Sequence, residues 1–170
     1  MSLVIAIDVG IKNLGLCAYD FCTNQVVYWD NVSLTPGGRY VPAHNVQYVR
    51  EFIWRHQELF NNCNTLIIER QMRCNMRIIE SVFQTLYFDR CRIISPRCVK
   101  MHYGLSTRNY RQNKQKAVEW ATDFVKANHI VFPAGVVDKY LNGKKQDDLA
   151  DALLLVMYYL DTYSNQLSNQ

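Results

Sequence analysis

The feature that most constrains the fold is an unbroken apolar run at residues 3–7, which ends in a carboxylate, Asp8, and turns at Gly10. A strand without polar alternation is typical of the middle of a sheet whose two faces are covered. An ionised carboxylate at the end of such a strand costs free energy unless a cation or a hydrogen-bond network compensates for it. The run therefore predicts a covered sheet with a charged site at the end of a central strand.

Hydrophobic periodicity predicts the remaining elements. Short strands at residues 2–8, 14–20 and 25–32 suggest an antiparallel meander, and a helix at 45–61 leads to a strand at 65–69 that runs parallel to the first. We then predict a helix at 76–89, a strand in "CRIISP" stopped by Pro96, and a helix at 113–128. Residues 133–146 are predicted as a loop before a last helix, "DDLADALLLVMYYLDTYS". The order β-β-β-α-β-α-β-α-α is typical of a mixed sheet flanked by helices.

Composition excludes several classes of protein. A chain of 170 residues that is 49% hydrophobic is expected to form one domain, residues 1–170. Its longest apolar stretch, "ALLLVMYYL", has nine residues, about half of the ~20 needed to cross a bilayer, so we expect no membrane partner. The N-terminal sequence lacks a secretion signal, which predicts an intracellular protein that is not secreted. The six cysteines form no C-x-x-C pair, which argues against a disulfide scaffold or a zinc site.

The charge is lopsided. The net charge is only +4, but residues 70–116 hold eleven basic residues and two acidic ones, whereas residues 1–69 hold four basic and six acidic ones. Such a local excess of positive charge favours a polyanionic partner, because phosphate neutralisation dominates nucleic-acid affinity. The alternative is a basic surface that only contacts solvent.

Four carboxylates are candidates for one metal site. Glu69 ends an apolar strand as Asp8 does, and Asp148 and Asp151 are three residues apart, which puts them on one helical face. Asp147 is the N-cap or a solvated neighbour. If the four acids converge, two Mg²⁺ or Mn²⁺ ions balance their charge, and such a pair supports phosphodiester cleavage. Solvated acids at strand and helix ends are the alternative interpretation.

Four motifs in order, "IAIDVGIKNLG", "IIERQ", "NKQKA" and "DDLADAL", resemble the RuvC-like Holliday junction resolvases, most of all the poxvirus and iridovirus type. These enzymes belong to the ribonuclease H-like superfamily. The resemblance spans residues 3–158. It implies an α/β fold with a five-stranded mixed sheet in the order 3-2-1-4-5 flanked by helices, and a single nuclease domain.

The resemblance also implies an activity and a partner. The chain is expected to be a metal-dependent endodeoxyribonuclease that resolves four-way junctions by paired symmetric nicks, in viral DNA recombination or replication. If it is viral, we expect it in the host-cell cytoplasm or nucleus. Two Mg²⁺ (or Mn²⁺) ions are expected as cofactors, and branched DNA and a second copy of the chain as partners.

The residues expected to carry this activity fall into three groups. The implied metal ligands, which are also catalytic, are Asp8, Glu69, Asp148 and Asp151. A catalytic lysine is expected at Lys114 or Lys116, with a slight preference for Lys116. The expected DNA-binding residues are Lys12, Arg70, Gln71, Arg73, Arg77, Arg108 and Arg111.

The helix after Glu69 commonly forms the dimer interface in the family. Its apolar residues Ile79, Val82, Phe83 and Leu86 suit that role, although any helix packed on a core needs the same stripe. Bacterial relatives carry an aromatic residue three positions after the glutamate as a wedge in the junction. This chain has Met72 there, so that device is absent or displaced.

Three other functions remain open from the sequence. The first is another ribonuclease H-like nuclease acting on RNA/DNA hybrids, flaps or other branched DNA, because the fold does not fix the substrate. The second is an ATPase of the sugar-kinase or chaperone type, whose first hairpin also reads apolar-Asp-x-Gly but which needs two such domains. The third is a non-catalytic junction-binding protein, which is expected to have lost a carboxylate.

Overall fold

The computed structural model describes residues 2–127, 129–143 and 145–167. The strands are Leu3–Asp8 (β1), Leu14–Asp20 (β2), Gln25–Val32 (β3), Cys63–Glu69 (β4) and Cys91–Ile94 (β5). The helices are Asn45–Arg55 (α1), Gln57–Asn61 (α2), Cys74–Leu86 (α3), Pro96–His102 (α4), Tyr110–Ala127 (α5), Val136–Leu141 (α6) and Gln146–Leu167 (α7). A 3₁₀ turn at Pro42–His44 precedes α1.

The five strands form one mixed sheet in the order β3-β2-β1-β4-β5, as predicted. β1 pairs antiparallel with β2, and β2 pairs antiparallel with β3, so the expected meander is confirmed. β4 pairs parallel with both β1 and β5. β1 is therefore the central strand, and its carboxyl end lies beside that of β4.

Helices cover both faces of this sheet, because successive side chains of a strand point to opposite faces. Leu3, Ile5 and Ile7 of β1 belong to a core that also contains side chains of α1, α2 and α3. Val4 and Ala6 belong to a second core that contains side chains of α5 and α7. The apolar run with no polar alternation is thus explained by burial on two sides.

Several predicted elements differ from those observed. The helix predicted at 45–61 is broken at His56, whose backbone N–H bonds back to the carbonyls of Phe52 and Ile53. The helix predicted at 76–89 begins and ends earlier, at Cys74 and Leu86. The predicted end of the next helix, Asn128, lies outside the described residues.

Two short helices are missing from the predicted order. α4 lies in a stretch interpreted as polar and basic, and α6 lies inside the predicted loop 133–146. Both are only about two turns long, which is too short for periodicity to distinguish from a turn. The observed order therefore contains α2, α4 and α6 in addition to the predicted elements.

No helix within the described ranges is long and apolar enough to cross a membrane.

Candidate active site

The pleat of the sheet determines where Asp8 and Glu69 lie. Asp8 continues the alternation of Val4 and Ala6, and Glu69 continues that of Ile67, so both carboxylates lie on the sheet face that α7 covers. Ile7 of β1 and Ile68 of β4 are register partners. The two acids that follow them are therefore neighbours at the ends of adjacent parallel strands.

α7 brings the other two acids to the same place. Asp148 and Asp151 lie in its first two turns, and Asp151 is buried with 6% of its surface exposed. The α7 backbone is held on the sheet by buried Trp29 of β3, whose indole N–H donates to the Leu149 carbonyl at 2.9 Å. The Asn31 side chain donates to the Lys145 carbonyl at 2.7 Å just before the helix.

Gly15 allows this close approach. It is the β2 partner of Asp8, and a Cβ added there would lie 2.2 Å from the Asp148 carbonyl oxygen and 3.3 Å from Cβ of Ala152. No side chain fits in that space. Gly15 therefore explains how the start of α7 reaches the sheet.

Electrostatic coupling links the four acids. Burial, followed by repulsion from Asp151 and Asp148, raises the pKa of Asp8 to about 8. Burial and then repulsion from Asp8 and Asp151 raise the pKa of Glu69 well above its usual value. The pKa of Asp148 and that of Asp151 are also raised, in each case mainly by burial. The cluster thus holds more negative charge than its surroundings balance.

Two lysines partly offset this charge. Lys100 of α4 places its Nζ atom 3.3 Å from Oδ1 of Asp151, and its side chain is 12% exposed. Burial alone would lower the pKa of Lys100, but attraction to Asp151 and Glu69 outweighs burial and raises it. Lys114 of α5 forms an ion pair with Asp147. Its positive charge offsets part of the rise in the pKa values of Asp8, Glu69, Asp148 and Asp151.

The sequence interpretation missed Lys100. The one available signal was "SPRCVK", where Pro96 stands at the first helical position and predicts a helix start. Of the two lysines that were predicted, Lys114 lies at the cluster. Within the described part of the chain Lys116 makes no ion pair, so the preference for Lys116 has no support in the geometry.

The donor set fits divalent cations of the magnesium type. All four candidate ligands offer carboxylate oxygens, the ligands that Mg²⁺ and Mn²⁺ prefer. Oδ1 of Asp151 is buried, and its ion pair with Lys100 is not accompanied by a hydrogen bond among the described residues. However, no three metal-binding side chains of the described residues lie close enough together to form a finished metal site. The four acids are close enough to repel one another, and Asp151 also contacts the Lys100 ammonium group.

The predicted DNA-binding residues are divided among four places. Arg70, Gln71 and Arg73 lie in the segment between β4 and α3, and the Gln71 side chain also lowers the pKa of Asp8. Arg108 and Arg111 are exposed at the start of α5, near Lys114, and Lys12 is exposed in the β1–β2 loop. Arg77 instead lines an apolar groove between α1 and α3.

That groove, which we call the α1–α3 groove, has a volume of about 630 Å³. Its apolar lining residues are Val46, Met72, Ile78, Val82 and Leu86. Met72 is 87% exposed and Leu86 is 49% exposed. Ile79 and Phe83, which the sequence assigned to a dimer interface, are fully buried in the domain's own core, so that part of the prediction is wrong.

The fold is shared with solved structures of known nucleases. It is similar to the solved structures of three Holliday junction resolvases. The yeast mitochondrial resolvase Ydc2 gives a TM-score of 0.72 at 20% identity, over 99% of this chain and 86% of that protein. The fowlpox virus resolvase gives a TM-score of 0.66 at 17% identity, over 94% of this chain and 98% of that protein. Thermus thermophilus RuvC in complex with its junction substrate gives 0.51 at 13% identity, over 96% and 98%.

At such identities the likeness concerns the fold alone, which is the ribonuclease H-like architecture of these resolvases. A sequence profile described as "Poxvirus A22 protein" matches residues 2–163. The chain therefore belongs to the Poxvirus A22 protein family, and the resemblance to the poxvirus type is confirmed. A search of curated proteins gave no match.

Proposed function

We propose that this chain is a metal-dependent endodeoxyribonuclease that resolves four-way DNA junctions by paired symmetric nicks. One observation carries the proposal. In a fold shared with junction resolvases, four carboxylates from β1, β4 and α7 are electrostatically coupled to one another and to two lysines. A junction-binding protein without activity has no need to keep such a costly cluster of like charges.

In this proposal Asp8, Glu69, Asp148 and Asp151 hold two Mg²⁺ or Mn²⁺ ions. When bound, such a pair activates a water molecule and stabilises the leaving oxygen of a phosphodiester. The chain's own contribution is to supply oxygen ligands from rigid elements and to exclude bulk water by burial. Lys100 opposes the rise in the pKa of Asp151, and Lys114 adds a second positive charge beside the scissile phosphate.

The exposed arginines on either side of the cluster hold the DNA backbone. Arg70 and Arg73 follow β4 directly, while Arg108 and Arg111 flank the start of α5. A planar guanidinium can donate two parallel hydrogen bonds to one phosphate. Phosphate contacts of this kind orient the DNA without reading its sequence, which suits a substrate recognised by its shape.

A homodimer supplies the second nick, because a four-way junction has two-fold symmetry. The α1–α3 groove is the surface that we assign to this contact, since it exposes several large apolar side chains on one side of the domain. Residues 1–170 then act as one nuclease domain, inside the cell and, for a virus, in the host cytoplasm or nucleus where viral DNA is recombined.

The test compares four substrates: a four-way junction, a flap, an RNA/DNA hybrid and a linear duplex, each with Mg²⁺ or Mn²⁺. We expect preferential cleavage of the junction, and loss of cleavage with retained binding in Asp8→Asn and Asp151→Asn. Asp123→Asn, which changes an exposed acid of α5, is the control and should cleave normally. Full activity of Asp8→Asn would refute the metal assignment, and preference for the hybrid would favour the alternative nuclease.

A further inference from the structure

A basic cavity lies outside the carboxylate cluster. The β1–β2 loop and the segment after β3 form an open surface cavity of about 520 Å³, lined by Lys12, Ser33, Thr35, Gly37, Gly38 and Arg39. We propose that this cavity, here called the β3 cavity, binds one backbone phosphate of a junction arm outside the scissile position. The proposal rests on the proposed function, because it takes branched DNA as the ligand.

The walls of the β3 cavity are fixed before any ligand binds. The backbone N–H of buried Leu34 donates to the Ile11 carbonyl at 2.9 Å and joins the two loops. The Arg55 guanidinium of α1 donates to the Ser33 and Leu34 carbonyls at 3.1 and 3.2 Å. A cavity held in this way loses little conformational entropy on binding.

Its charge suits a phosphate. The lining contains one lysine, one arginine and two hydroxyl residues, and no acid. Across the described ranges neither Lys12 nor Arg39 takes part in an ion pair. Their charges are therefore available for an anion, and the arginine fork matches phosphate oxygens.

The β3 cavity is within reach of DNA held at the carboxylates. Lys12 is four residues after Asp8, and four residues span at most about 14 Å between their Cα atoms. A DNA strand carries one phosphate per about 3.4 Å of helix axis. The phosphate in the cavity is therefore only a few nucleotides from the cut.

Two glycines keep the rim open. Gly37 has a φ of +83°, which favours glycine, but Gly38 has no such constraint and a Cβ there would meet nothing within 4 Å. The protein can accommodate a larger residue at Gly38. That residue would occupy space that the DNA backbone is proposed to use.

The test couples protein substitutions to removal of single phosphate charges. Junctions carrying one neutral methylphosphonate at successive positions near the cut are bound by the wild type, by Arg39→Gln and by Lys12→Gln. We expect Arg39→Gln to weaken binding roughly three- to tenfold, as for one charge-assisted contact, and to lower the salt slope by about 1. At one position, the methylphosphonate should weaken binding by the wild type as much as Arg39→Gln does. The same methylphosphonate should cause no further loss of binding in the Arg39→Gln variant.

The control is Arg50→Gln, which changes an exposed arginine of α1 outside the β3 cavity. The loss of binding that it causes should add to that of the methylphosphonate at every position in the DNA. Gly38→Leu should weaken junction binding with an unchanged Tm. Additive effects for Arg39→Gln at all positions, or normal binding by Gly38→Leu, would overturn the inference alone. A wild type that does not bind the unmodified junction would overturn the proposed function as well.

Discussion

At the scale of single residues, the site joins carboxylates that the sequence reveals with a lysine that it does not. Asp8 and Glu69 were found because an apolar strand that ends in an acid is costly. Lys100 has no comparable sequence signal, because a lysine in a basic stretch cannot be told from an ordinary surface residue. Its role depends on β5 placing α4 against α7, which is a long-range contact.

Replacement of Lys100 tests this assignment. We expect Lys100→Met to lower the cleavage rate about 100-fold, the effect of removing one preorganised charge from an active site. The pKa of Asp151 should rise further because its nearest cation is gone. Single-turnover cleavage over a range of pH is the measurement, with Lys116→Met as the matched control. Equal effects of the two substitutions would contradict the account.

The raised pKa of Asp8 makes a prediction about stability. At pH values between the pKa of Asp8 in the unfolded state, 3.8, and its pKa in the folded state, about 8, Asp8 is protonated in the folded protein and ionised in the unfolded protein. The free energy of unfolding without metal should therefore fall as pH rises through this window, and the penalty is complete above it. We expect a difference of several kcal/mol, since the two pKa values differ by about 4 and one pKa unit is about 1.4 kcal/mol.

Asp8→Asn removes this titration. The variant should unfold at higher denaturant concentration than the wild type at about pH 8.5 in EDTA, and the two should converge below about pH 3, where Asp8 is protonated in both states. Mg²⁺ should stabilise the wild type more than the variant. A variant that is less stable than the wild type at pH 8.5 would show that Asp8 is not under strain from its neighbours.

At the scale of elements, α7 is the part on which the site depends. Its first turn is packed on Gly15 and bonded to Trp29, so the positions of Asp148 and Asp151 are determined by β2 and β3. The sequence predicted this helix correctly, whereas the role of its acids stays a prediction. It did not predict the docking, because a glycine required for packing cannot be told from a turn glycine without the partner element.

Gly15→Ala tests the docking of α7. The added methyl group must displace the Asp148 carbonyl, and we expect a loss of about 1–3 kcal/mol in unfolding free energy, typical of overpacking, together with loss of cleavage. Gly38→Ala is the control for folding, because its Cβ meets open space. Urea denaturation measures both. Wild-type stability of Gly15→Ala would mean that α7 is not pressed against β2.

The remaining elements show how far periodicity reaches. The five strands were predicted within about two residues because they are short, apolar and separated by turns, although the strand order came from the family resemblance. The break at His56 was missed because that position has neither proline nor glycine. It allows Phe60 to pack against Phe52 and Phe83, which is a demand of the tertiary core.

At the scale of the whole molecule, paired symmetric nicks need two copies of the chain. The α1–α3 groove supplies exposed apolar surface, and a charge placed there should separate the copies. We expect Leu86→Glu to convert a particle of twice 19.9 kDa into a monomer by light scattering, without loss of fold because Leu86 is half-exposed. Gln84→Glu, at an exposed position of the same helix, should remain a dimer. A wild type that is monomeric with junction DNA would contradict the assignment.

The most direct test of the central claim uses a supercoiled plasmid that extrudes a cruciform, which is a four-way junction. Two symmetric nicks made within one bound dimer convert the plasmid to the linear form, whereas independent nicks give the open circular form. With wild-type protein and Mg²⁺ we predict linear product from the first turnovers, with cuts at symmetric positions of opposing strands. Open circles alone, or cuts without symmetry, would contradict the account.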